Sequence, residues 1–123
     1  MTSLRSVVFD CPDAVSLAIF YAELLGGRAI TSDPSWCEVI LDRPPKLAFQ
    51  LASNFEAPDW PDGHPQQLHL DLSVSDLEAD SRRAVELGAT VLAGPVEEAG
   101  CVFIVHADPA GHPFCLCRDR EQD

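Results

Sequence analysis

The sequence has no long hydrophobic run. Nothing in its 123 residues approaches the roughly 20 consecutive apolar residues that a membrane helix needs, which argues against a membrane partner. The opening MTSLRSVVFDCPD holds one Arg and too short an apolar stretch for a secretory signal, so the expectation is a cytoplasmic protein. Positive charge is scarce. Eight Lys and Arg against 20 Asp and Glu give a net charge of −12, a field that repels phosphate backbones and anionic lipid, so neither nucleic acid nor a membrane is expected as a partner. That field would favour a cationic ligand, although an acidic surface also serves solubility alone. The five cysteines are odd in number and contain no CxxC pair, which disfavours both a disulfide framework and a structural zinc site. No phosphate-cradling glycine loop, dinucleotide fingerprint or Ser-His-Asp relay is present.

What is present is a globular composition, 46% hydrophobic and 23% charged, in a chain long enough for one domain with a core of its own. It is also written twice. Residues 5–30, RSVVFDCPDAVSLAIFYAELLGGRAI, and residues 67–92, QLHLDLSVSDLEADSRRAVELGATVL, share one grammar. An alternating strand runs into an Asp, a helix follows, a Leu-Gly pair stops it, and a β-branched run begins. Asp13 answers to Asp76 as a helix N-cap, and Leu25-Gly26 to Leu87-Gly88 as a stop.

Taken in order, strands are expected at 4–11, 27–31, 36–41 and 46–52, with a helix at 14–25. Asp33-Pro34 and Arg43-Pro44-Pro45 mark turns. The second half repeats this with strands at 67–74, 89–93, 101–107 and 113–118 and a helix at 77–87. Gly94-Pro95 and Glu97-Glu98 read as a loop, and Asp108-Pro109-Ala110-Gly111 as a tight turn. The order is βαβββ twice: module 1 over about 4–52, a hinge at 53–66, module 2 over about 67–118 and a frayed tail at 119–123, all in a single domain. Within the hinge, Trp60 either packs over a sheet or belongs to a lid, and His64 is expected in solvent.

Strand side chains alternate, so parity assigns faces. Val7, Phe9 and Cys11, then Leu47, Phe49 and Leu51, then Leu68, Leu70 and Leu72, and finally Phe114 and Leu116 are expected under the helices. The opposite faces are mixed, as in sheets covered on one side. If those mixed faces line a shared concavity, its polar lining is His69, Asp71, Gln50, Ser6 and Cys115, and such a cleft is the default place for a small-molecule ligand.

With FYAELLGG, DPAGHPFCL and the entry LDLSVSDLEA on a doubled βαβββ order, residues 4–118 resemble the vicinal oxygen chelate superfamily. That superfamily includes glyoxalase I, extradiol dioxygenases and bleomycin-resistance proteins. WPDGHPQQLHLDL followed by DPAGHPFCL looks most like its glyoxalase-like subgroup. The resemblance implies an α+β fold in which two βαβββ modules form a curved mixed sheet with a cleft. It also implies a homodimer, with or without exchanged halves. Reaction does not follow, because one scaffold hosts many chemistries.

Metal enzymes of that superfamily hold a divalent ion with four strand side chains, typically His, Glu or Gln. Carried over, those positions are Ser6, Gln50, His69 and Cys115. His69 fits and Gln50 is acceptable, whereas Ser6 and Cys115 depart from the pattern. A catalytic ion needs about three good protein ligands, so no metal or other cofactor is expected. The first expectation is therefore a glyoxalase-like protein with a degenerate metal site that binds a small organic molecule. One alternative is a lyase, isomerase or dioxygenase using Zn, Fe, Mn or Ni on His69 and Gln50, with Asp71 nearby. A second is a non-catalytic interaction module. Cys115 would be a nucleophile only with His69 as base, and is more simply a buried thiol. His112 reads as a turn residue, and His106 is open between core and pocket.

Overall fold

The aspartates that end the leading strands explain why the chain turns into helix where it does. Asp13 is extended (φ −146°, ψ 94°), and its carboxylate accepts the Ser16 N–H at 3.1 Å and the Ser16 hydroxyl at 2.7 Å. One orphan donor of the first turn is thereby satisfied. The backbone bond from Ser16, then its hydroxyl, holds the Asp13 carboxyl below the usual range. Asp76 repeats the cap, accepting the Ala79 N–H at 3.1 Å. Gly26 then closes the first helix in the left-handed region (φ 73°), where a Cβ would be strained.

A computed structural model describes residues 1, 3–58, 68–98 and 100–120. The chain divides into two compact units, Met1–Glu56 and Ala57–Asp123. In the first unit the order is β1 (Ser6–Cys11), α1 (Ala14–Leu25), β2 (Arg28–Ile30), β3 (Trp36–Ile40) and β4 (Lys46–Leu51). In the second it is β5 (Leu70–Ser73), α2 (Leu77–Leu87), β6 (Thr90–Glu98), β7 (Cys101–Ala107) and β8 (Pro113–Asp119). Each unit forms one four-stranded sheet, ordered β1-β4-β3-β2 and β5-β8-β7-β6. The first and last strands of each unit pair in parallel, and the other pairs are antiparallel. This is the expected α+β fold of two βαβββ modules.

The two cores are built differently. In the first, Phe9, Tyr21 and Phe49 stack with ring centroids 5.3–5.6 Å apart, Leu17, Val39 and Leu47 are buried beside them, and α1 presents Leu17, Phe20 and Tyr21. In the second, α2 buries only Leu77, Ser81 and Ala84. Ser81 reaches the buried His106, whose Nε2 lies 2.8 Å from the Ser81 Oγ. The His106 Nδ1 is 3.1 Å from the Ile104 carbonyl, which can only accept. Nδ1 therefore carries the proton, and the Ser81 hydroxyl donates to Nε2. The ring stacks on Phe114 at 5.1 Å. His106, left open by the sequence, is a core residue, and burial pushes its pKa down.

Several expectations change, among them the tail, since β8 runs to Asp119, where fraying was expected to begin. β6 does not stop at residue 93 but runs to Glu98, through register shifts between Val91 and Ala93 and between Ala93 and Val96. It is an edge strand, where Pro95 can lack its N–H and a bulge absorbs Gly94 at φ 106°. A Cβ on Gly94 would meet the Phe103 carbonyl at 2.9 Å. β5 begins at Leu70, not 67, which leaves Leu68 ahead of the strand and 66% exposed rather than packed. β1 likewise starts at Ser6, not residue 4. Leu51 ends β4 and stands 46% exposed, because parity fixes a face and not whether anything covers it. No helix among the described residues is long and apolar enough to cross a membrane.

Candidate functional site

The parallel pairing of β5 with β8 sets Asp71 directly against Cys115. Partners in register share a face, and parity puts that face opposite α2. His69 precedes β5 by one residue and lies two before Asp71, so it falls on the same side. Its Nε2 is 3.1 Å from the Asp71 Oδ1. The nitrogen, carboxylate oxygen and sulfur that the three offer all lie within 4.8 Å of one another. His69 and Asp71 are exposed, whereas Cys115 is buried beneath them.

The three open into a cavity of about 440 Å³ on the second unit. Its walls are Ala93, Val96, Phe103, Val105 and Pro113. Glu98, Cys101 and Cys117 add polar edge. The volume is in the range of small-molecule sites, as is the pattern of apolar walls with a few convergent polar groups. Burial pushes the Cys115 thiol up to about 12, aided by the Asp71 carboxylate and its bond to that thiol and by the neighbouring cysteines. Cys117 is raised by the same order of causes, burial first and then Asp71. At neutral pH both are thiols, so Cys115 is not an activated nucleophile. Its place is that of a buried wall residue with a polarizable sulfur.

Of the residues expected at the site, the structure brings His69, Asp71 and Cys115 together. Ser6 and Gln50 belong to the first unit, where Ser6 pairs with Lys46 and Gln50 with Asp10. They stand four register steps apart, roughly 13 Å along the strands. Trp60 and His64 lie outside the described residues. Ser6 and Val8 precede Asp13 by the same intervals at which His69 and Asp71 precede Asp76, and Val8 pairs with Ala48. The first unit's counterparts of His69, Asp71 and Cys115 are thus Ser6, Val8 and Ala48, with no metal-binding or ionisable group among them.

The remaining histidine is structural. Asp108 accepts the N–H groups of Ala110 and His112 at 2.8 and 3.0 Å, and its other oxygen accepts the His112 Nδ1–H at 2.8 Å. The tight turn at 108–111 is locked by that carboxylate. Sequence reasoning missed the walls from β6 and β7. Parity carried the signal, since Phe103 pairs with Cys117 and Val105 with Cys115, which puts Cys101, Phe103 and Val105 on the cysteine face. The β6 walls had no such signal, because a bulge resets parity.

Residues 6–117 match the family described as a glyoxalase-like domain. Among solved structures, the chain is similar to a glyoxalase/bleomycin resistance protein/dioxygenase family enzyme from Burkholderia phytofirmans PsJN, with a TM-score of 0.77 and 18% identity over 96% of this chain and 99% of that one. A glyoxalase-related enzyme from Fulvimarina pelagi superposes with a TM-score of 0.74 at 19% identity, over 97% of this chain and 89% of that one. A glyoxalase/bleomycin resistance protein/dioxygenase from Nocardioides gives 0.70 at 13% identity, covering 100% and 87%. At such identities the likeness speaks to the fold alone. No curated protein matches the chain.

Proposed function

Because the chain belongs to the glyoxalase-like domain family of the vicinal oxygen chelate superfamily, we propose that it binds a small organic molecule in the cavity of its second module. The observation that carries this reading is the convergence of His69, Asp71 and Cys115 in a mainly apolar hollow of about 440 Å³. Phe103, Val96 and Val105 offer an aromatic or aliphatic body its contact area. Asp71 and Glu98 offer a cationic group its counter-charge, in keeping with the net charge of −12. The proposed ligand is therefore an aromatic or aliphatic organic cation, bound without a metal by a chain working as a cytoplasmic homodimer.

A second reading rests on the same three donors. A His nitrogen, a carboxylate oxygen and a Cys sulfur within 4.8 Å suit a tetrahedral zinc site with one open position. His69, Asp71 and Cys115 would hold the ion, and binding would deprotonate the Cys115 thiol. The ion would supply Lewis-acid polarisation of a bound oxygen. Gln50, the other expected ligand, lies in the first unit and is not needed for this set.

Elemental analysis of untagged protein, with His69→Ala alongside, separates the two. The first reading predicts no stoichiometric metal in either protein, even after incubation with excess ion. About one Zn, Fe, Mn or Ni per chain in the wild type, absent from His69→Ala, would replace it with the second. Sedimentation checks the assembly, and a monomer at working concentration would contradict the homodimer.

A further inference from the structure

The first unit has a cavity of its own, of about 580 Å³, between the segment Ser3–Arg5 and the turn that joins β3 to β4. Its charge is the reverse of the chain's. Arg5, Arg43 and Lys46 line it, three of the eight basic residues, and no acidic residue among the described ones does. The arrangement is held from the backbone, since the Lys46 N–H donates to the Arg5 carbonyl at 3.2 Å and keeps the two segments together. Glu38, outside the lining, pairs with Lys46 at 2.9 Å and offsets that charge. Lys46 holds the Glu38 carboxyl below its usual range, first through their bond, with Arg5 adding a smaller, longer-range pull. Arg43 makes no ion pair among the described residues. Leu4, Ile40, Leu41 and Pro44 complete the wall.

Cations gathered in one concavity repel each other, and in a chain of −12 they are scarce enough that their clustering calls for a physical role. One is neutralised by Glu38, which leaves two guanidinium groups facing an apolar wall. Guanidinium groups bind carboxylate and phosphate oxygens in paired hydrogen bonds, and the aliphatic side chains can cover an apolar body. We infer that this cavity is a second ligand site, for a small organic oxyanion whose carboxylate or phosphate sits on Arg5 and Arg43 while its apolar part lies on Leu4, Ile40 and Pro44. It is independent of the second-module cavity, and either can fail without the other.

Calorimetric titration of the wild type with phenyl phosphate, benzoate, inorganic phosphate and benzyltrimethylammonium tests this. Phenyl phosphate or benzoate should bind, more tightly than inorganic phosphate and more weakly as salt is raised. Arg43→Gln, on an exposed turn, should weaken that binding about tenfold or more, Arg43→Lys should weaken it less, and His69→Ala should leave it unchanged. Binding of phenyl phosphate alone would identify a phosphate monoester, and binding of benzoate alone a carboxylate. Failure of both aromatic anions to bind would overturn the inference. So would an affinity that Arg43→Gln does not change, or inorganic phosphate matching phenyl phosphate.

Discussion

Set against each other, the two modules agree on one face and part on the other. Their helix-side faces keep the same devices: an aspartate cap, a glycine stop, and a parallel first-to-last strand pair. Their open faces share almost nothing. Where the second module gathers His69, Asp71 and Cys115, the first has Ser6, Val8 and Ala48. The difference teaches that the fold depends on residues facing the helix, so the residues facing away can diverge without loss of the scaffold. The interiors also differ. An aromatic stack closes the first, and a buried Ser81–His106 hydrogen bond helps to close the second.

That contrast can be broken at the cores. Phe49→Ala removes a fully buried ring from the stack and should cost about 3–5 kcal/mol in urea unfolding. A loss under about 1 kcal/mol would mean that the aromatic stack does not hold the first module. In the second module Ser81→Ala strips His106 of the hydroxyl that donates to its Nε2. The expected cost is about 1–3 kcal/mol, the penalty of a buried acceptor left without a partner.

His106 also predicts a pH dependence confined to the second module. Its folded pKa lies below the ordinary 6.5, so the folded state holds a neutral ring while the unfolded state takes up a proton below 6.5. Stability from this group is fully present above 6.5 and falls as pH drops from there towards the depressed folded value. His106→Phe should flatten that part of the profile, and an unchanged slope would remove His106 as its source.

Smaller effects sharpen the comparison. Asp13→Ala and Asp76→Ala should each cost about 1 kcal/mol, because both caps accept a backbone N–H at 3.1 Å. Unequal costs, read by chemical denaturation, would show that the repeat is not equivalent at its helix starts. His69→Ala should change stability by less than about 0.5 kcal/mol, since its pair with Asp71 is exposed.

Much of this was legible in the chain. The helix limits 14–25 and 77–87 match those observed, because Asp13, Asp76, Gly26 and Gly88 are local signals whose chemistry acts within one turn. His69, Asp71 and Cys115 fell on the mixed face by parity, because strand side chains alternate. What was not legible depends on contacts between strands. The length of β6 turns on a bulge at an edge, the burial of His106 on a Ser in another element, and the basic cavity on a turn meeting the chain's first residues. None of these has a periodic signature.

The most direct test of the central claim is a thermal-shift screen with aromatic and aliphatic organic cations in metal-free buffer, run on the wild type, His69→Ala and Ser6→Ala in parallel. Binding to the native state raises Tm by mass action. At least one compound is expected to raise the Tm of the wild type and of Ser6→Ala but not of His69→Ala. No shift with any compound, or a shift that His69→Ala preserves, would contradict a ligand site in the second module.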